Sequence, residues 1–155
     1  MEMETVRLRM RVASDGEMEL LIAAQEDEGL RSAYGEMLQG CREHPEQRVW
    51  HAVWMIEKKD GTHVGDLSFK GLGADGVAEI GYGILEEYRG NGYAAEAVEA
   101  AVEWALRQPG VRRVEAETEA GNAASRRVLE KCGFAATGRV GEEGPRFSRE
   151  IQAKG

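Results

Sequence analysis

Cysteine is scarce in this chain. Cys41 and Cys132 are the only two among 155 residues. They lie far apart in helix-like contexts, and a lone disulfide is not expected in a reducing compartment. Histidine is equally thin: His44, His51 and His63 are scattered, none with metal-ligand spacing, so no metal site is expected. No apolar run reaches the ~18–20 residues that span a bilayer, which points away from the membrane. The opening Met-Glu-Met-Glu is acidic where a secretion signal would be basic, so a cytoplasmic protein is expected. Positive charge is short as well. A formal net charge of -8 argues against nucleic acid as a partner, because phosphate binding needs a basic footprint. The acidic balance suits a cationic substrate, although solubility explains it more simply. Repeats, low-complexity tracts and linkers are missing too. With 42% hydrophobic and 31% charged residues, residues 1–155 read as a single globular domain.

What is present is a change of periodicity part-way along. Val6 to Val12 alternates apolar and basic residues, as a half-buried strand does. Ser14 starts a helical region, with Glu17 at capping-box distance. Gly29, Gly35 and Gly40 divide that region into two helices before His44-Pro45 closes it. Strands are expected over Val49–Ile56, His63–Lys70 and Val77–Leu85, joined by turns at Lys59-Asp60-Gly61 and Leu72 to Gly76. Gly92 to Arg107 is then an amphipathic helix with Ala94, Ala97, Val98, Ala101, Val102 and Ala105 on one face. Val111–Thr118 follows as a strand, and strand–helix–strand implies a parallel crossover. Asn122–Cys132 reads as a helix capped by Asn122 and closed by Gly133. Phe134–Val140 and Arg146–Ile151 are expected as the last strands. The fold class is mixed α/β: an antiparallel meander, then a parallel βαβ crossover, in one central sheet with helices on both faces.

Where the meander meets the crossover lies Arg89-Gly90-Asn91-Gly92-Tyr93-Ala94-Ala95. Unpaired amides at a helix start carry partial positive charge, and glycines let backbone approach an anion. Together they form a phosphate or diphosphate site, and Arg89 adds a full charge. A Walker A loop would require Gly-Lys-Ser/Thr, which is missing. Gly90 to Ala95 formally fits a dinucleotide fingerprint. However, the polar stretch Glu86–Arg89 separates it from the strand, and too little chain follows for a doubly wound sheet.

Arg89, Gly92 and Ala94 also fit the pattern Q/R-x-x-G-x-G/A, and here the chain resembles the GNAT acetyltransferases. Ala78 to Ile84 looks like the strand that precedes the family's loop. Gly92 to Ala97 resembles the helix start of the RimJ/RimL-like branch. Asn122-x-x-Ser125, continuing through Leu129-Glu130-Lys131-Cys132-Gly133-Phe134, is similar to that branch's last helix and strand entry. The resemblance implies acetyl-CoA as co-substrate. Its diphosphate would lie on the amides of Gly90, Asn91, Gly92, Tyr93, Ala94 and Ala95, and its pantetheine arm on backbone near Ile84 and Leu85. Asn122 would add a hydrogen bond to the arm. The acceptor would be a primary amine: a protein N-terminus, an amino acid or a small amine. A homodimer is left open.

Acetyl transfer needs a base for the amine, donors for the carbonyl oxygen and a proton for the departing thiolate. Glu79 shares a strand face with Gly81 and Gly83, where a ligand could approach, and is the first candidate base. Glu117 is the second. Ser125 is the candidate proton donor, since Leu129 stands where many relatives have a tyrosine. Cys132, at a helix C-terminus, reads as core, as do Trp50, Trp54 and Trp104. The competing reading is a non-catalytic CoA-binding or sensor domain of the same fold.

Overall fold

A computed structural model describes residues 2–150. Short strand β1 (Glu2–Glu4) turns back into β2 (Leu8–Val12). Val6, expected inside the first strand, instead sits in the turn between them and is 92% exposed. The turn is closed by the Thr5 amide on the Leu8 carbonyl at 2.9 Å. Helix α1 (Asp15–Ala24) begins with the full Ser14/Glu17 capping box. Helix α2 spans Glu28–Glu43. The break between the two falls at Gln25–Asp27, where the Asp27 side chain caps the Leu30 amide. It does not fall at Gly35 or Gly40, which lie within α2. Gly40 permits a close approach: a Cβ there would stand 2.6 Å from His51 Nδ1.

The expected strand at Val49 is corrected. A 3-10 turn at Pro45–Gln47 leads into α3 (Arg48–His51), and β3 begins only at Val53 and runs to Lys58. Tertiary contacts override the apolar run. The Arg48 guanidinium is clamped by Asp15 at 2.6 Å and by the Ala13 carbonyl at 2.8 Å. Trp50 packs against Phe69 and Trp104, with ring centroids 5.1 and 5.2 Å away. Strands β4 (His63–Leu72) and β5 (Val77–Ile84) complete the meander. Then come α4 (Tyr93–Arg107), β6 (Arg113–Glu117), α5 (Ala123–Lys131), β7 (Ala135–Val140) and β8 (Pro145–Glu150). Ile151, expected to end the last strand, lies outside the described residues.

The eight strands form one sheet in the order β1-β2-β3-β4-β5-β6-β8-β7. Every neighbouring pair is antiparallel except β5 with β6, which is parallel. Strand alternation sorts side chains to two faces. Trp54, Ile56, Leu67, Ala78 and Ile80 share the main core with Ala97, Val98, Ala101, Val102 and Ala105 of α4. The small residues let α4 lie close to the sheet, while Val98 and Val102 each contribute about 1.5–3 kcal/mol by burial. On the other face, Val53 and Met55 pack under α1 and α2 with Met18, Leu38 and Cys41. Further along that second face, over β5, β6 and β8, the sheet carries charges.

Candidate active site

Strands β5 and β6 hold only three residue pairs: Val77 with Arg113, Ala78 with Val114 and Glu79 with Glu115. Past that point β5 continues to Ile84, while β6 follows β8, with Glu117 opposite Arg146. The two strands diverge. On its other edge β5 stays paired with β4, and the Leu85 amide donates to the Val64 carbonyl at 2.8 Å. An antiparallel pair alternates its bonding directions. Gly81, Gly83 and Leu85 therefore turn their main-chain groups toward β4, and Tyr82 and Ile84 turn theirs toward the opening. Leu85 has both groups committed, since its carbonyl accepts from the Tyr88 amide. Of the two positions expected beside the pantetheine arm, Ile84 is the one that faces the opening.

From Ile84 the chain passes through a 3-10 turn at Glu86–Tyr88 into the glycine loop. Gly90 and Gly92 have φ of +84° and +80°, values that other L-residues adopt only with strain. Gly92 is also the N-cap of α4 and has no capping side chain. Among the described residues, the amides from Gly90 to Ala95 have no hydrogen-bond acceptor within the chain. They form the donor-rich corner that an anion would occupy. Arg89 turns back, and its Nε donates to the Ile84 carbonyl at 3.1 Å. Its charge thus lies at the corner between strand and loop. Asn91 braces the turn through its Nδ2 on the Tyr88 carbonyl at 2.9 Å.

Arg7 was not legible as a site residue. Its guanidinium donates to the Asn91 carbonyl at 2.9 Å and to Glu96 at 2.7 Å, and lies over the Tyr93 ring at 4.7 Å. Glu96 also accepts from the Arg7 amide and the Thr5 hydroxyl. Burial would raise the Glu96 carboxyl, but these bonds outweigh it and hold it below its usual range. The turn between β1 and β2 thereby fixes the loop from behind. The partners are separated by 84 to 91 residues, and no local pattern marks them.

Asn122 caps α5, its Oδ1 accepting from the Ser125 amide at 3.0 Å. The Ser125 hydroxyl lies 2.8 Å from the Tyr82 hydroxyl. Burial pushes the Tyr82 phenol up. Tyr82 alternates to the face where α5 packs, and its buried phenol finds a hydroxyl partner there. Cys132 is buried, with Sγ 3.4 Å from the Ala95 carbonyl. Burial pushes its thiol up to about 11, the opposite of a nucleophile's environment.

Glu79 lies on the opposite face of β5 from Ser125, so the structure does not bring the two candidate catalytic side chains together on one side of the sheet. Its carboxylate accepts from Arg146 at 2.7 Å and pairs with Lys70 at 3.1 Å. Burial would raise it, yet these two cations hold it below the usual carboxylate range. Arg146 also binds Glu115 and Glu117, at 3.1 and 2.8 Å, and Arg113 completes the network through Glu115. Glu117 is a bracing residue as well: its other oxygen accepts the Glu143 amide at 3.0 Å, holding the turn between β7 and β8.

A diverging parallel strand pair that runs into a donor-rich glycine loop defines an acyl-transfer fold of the GNAT type. A family model described as an acetyltransferase (GNAT) domain matches residues 7–135, and the chain belongs to that family. It is 39% identical over 83 residues to the uncharacterized N-acetyltransferase YjdG of Bacillus subtilis, a match covering 52% of this chain and 49% of that protein. The chain thus spans about half the length of that curated relative. Among solved structures, its fold is similar to RimL, a ribosomal L7/L12 alpha-N-protein acetyltransferase in complex with coenzyme A. The TM-score is 0.77 at 19% identity, covering 97% of this chain and 98% of that one. It is also similar to a spermidine N-acetyltransferase from Vibrio cholerae in complex with CoA and spermine. There the TM-score is 0.75 at 15% identity, covering 94% and 96%. At these identities the two structures show the shared fold.

Proposed function

We propose that the protein moves the acetyl group of acetyl-CoA directly to a primary amine. The observation that carries this reading is the continuity of two features: the main-chain groups of Tyr82 and the amide of Ile84 facing the opening, and the amides of Gly90 to Ala95 at its end. The first suits the amides of a pantetheine arm, the second a diphosphate. The positive φ of Gly90 and Gly92, with open space where a Cβ at Gly90 would stand, fits a group that must approach the backbone closely.

In the reaction a neutral amine attacks the thioester carbonyl, so a C–N bond forms and the C–S bond breaks. The amine's proton leaves to a carboxylate on the charged face. Glu79 fills this role through water, as a weak base kept ionised by Arg146 and Lys70. The thiolate receives its proton on the helix face from the Ser125 hydroxyl, which the Tyr82 hydroxyl can resupply. Much of the acceleration comes from aligning the two reactants in the opening, so neither side chain need carry the whole barrier. The named neighbours act on a protein N-terminus and on spermidine, and both remain acceptor classes for this chain.

CoA at about 100 times its Kd stabilises a binding protein by about 2.7 kcal/mol, a rise in Tm of roughly 5–10 °C for a domain of this size. That rise is expected, together with acetyl transfer to at least one member of a panel of amines. No rise would sink the assignment. A rise without transfer to any amine would leave the non-catalytic CoA-binding alternative.

A further inference from the structure

One carboxylate on the charged face is treated differently from the rest. Asp66 lies on β4, and its side chain projects to the same side as Glu79, under α2. The Tyr34 hydroxyl of α2 donates to its Oδ2 at 3.0 Å. Among the described residues its Oδ1 accepts no hydrogen bond, and no lysine or arginine pairs with it. Glu79, Glu115 and Glu117, on the same face, each have a guanidinium or ammonium partner. Burial pushes Asp66 up, and the Tyr34 bond and nearby His63 only partly offset that. Holding a half-buried carboxylate without a counter-charge is costly, and such arrangements concentrate where a ligand supplies what is missing.

The surroundings say where such a ligand would come from. Asp66 is registered against Gly83 on β5, and its neighbour Ser68 against Gly81. A Cβ at Gly83 would meet nothing within 4 Å, and one at Gly81 would meet only the ends of Lys70 and Ser68, at 3.8 and 4.0 Å. Over these positions β5 is a bare floor about one strand spacing wide, ~4.8 Å. The opening toward β6 lies along one edge of the floor and Asp66 along the other. A group lying over this stretch of β5 would touch both the reacting end of the opening and the free oxygen of Asp66.

We infer that Asp66 receives the ammonium group of the acceptor amine across the Gly81–Gly83 floor, with Tyr34 holding its second oxygen in place. This rests on the acetyl-transfer reading. It makes Asp66 a substrate-binding residue of the charged face, whereas Glu79 is already satisfied by Lys70 and Arg146. The ligand must be a hydrogen-bond donor carrying positive charge, which a protonated primary amine is; it yields that proton to water as it leaves Asp66 for the thioester, so the nitrogen attacks in its neutral form.

The test is steady-state kinetics with three probes: butylamine, spermidine and an alanyl peptide amide. Each is titrated at saturating acetyl-CoA in the wild type, Asp66→Asn and Tyr34→Phe. Asp66→Asn keeps the shape and the Tyr34 acceptor but removes the charge. It should raise the KM of the accepted amine about 10- to 100-fold, the range for a lost charge-assisted bond. The KM for acetyl-CoA and the thermal shift given by CoA should stay within twofold of wild type. Tyr34→Phe should raise the amine KM in the same direction by a smaller factor. An unchanged amine KM in Asp66→Asn overturns the inference, as does a fall in kcat alone. So does protection by CoA with none of the three amines reaching saturation. If Asp66→Asn does not fold, an unchanged amine KM in Tyr34→Phe overturns it instead. Absence of CoA protection in the wild type is a different result, because it removes the acetyl-transfer reading itself.

Discussion

The Ser125 and Tyr82 hydroxyls meet at 2.8 Å on one face of β5, and the Glu79 carboxylate sits between Arg146 and Lys70 on the other. Ser125 was legible because helical spacing puts it on the inward side with Leu129 and Cys132. Its partner Tyr82 lies 43 residues away, and only folding could reveal that contact. Ser125→Ala should lower kcat by about 10²-fold, the lower end for a lost general acid. The KM for acetyl-CoA should be little changed, because Asn122 still caps α5. Tyr82→Phe should cost less, since water can resupply the serine. Rapid-quench or steady-state measurement at saturating substrates checks both. Glu79 was legible from strand alternation beside Gly81 and Gly83. Its ion pair with Arg146, 67 positions further on, was not, and that pair sets its basicity.

At the scale of elements, α4 was the most legible part of the chain. Five of the six positions that its 3.6-residue spacing marks out are buried, Ala94 in the first turn being partly exposed, and its start is fixed by glycine chemistry. The least legible was α3, where an apolar run reads as strand until Asp15 and the aromatic cluster claim Arg48 and Trp50. The loop before α4 yields a sharp prediction. Gly92→Ala forces a Cβ into a left-handed backbone, at about 1–2 kcal/mol, and brings it to 3.4 Å from the Arg7 guanidinium. CoA affinity should fall at least tenfold by calorimetry, more than any loss of fold stability would explain. Arg7→Met should weaken CoA in the same direction without touching the glycine.

For the molecule as a whole, the antiparallel meander and the single parallel pair followed from the switch in periodicity, because a helix between two strands leaves few alternatives; the insertion of β8 between β6 and β7 did not. The charge network across β5, β6 and β8 did not follow, since it joins segments remote in sequence. Acid stability carries a local contribution at the start of α1. Arg11 binds Glu17 at 2.7 Å and, with the Ser14 cap, holds its carboxyl at about 2, against 4.5 when unperturbed. A depressed carboxyl stabilises the fold above its unfolded value, and that stabilisation is lost as pH falls toward the folded one. Glu17→Gln should therefore lower stability near neutrality by on the order of 1 kcal/mol, since the pair is partly solvated. The difference from wild type should close between about pH 4.5 and 2 in urea titrations. The divergence of β5 from β6 has a further consequence. It leaves the sheet with an internal edge, and a pantetheine arm lying there would close it like one more strand. Deuterium exchange should record this amide by amide. Tyr82 and Ile84 should exchange quickly in the protein alone and slowly once CoA is added, while Gly81, Gly83 and Leu85, zipped to β4 throughout, should change little.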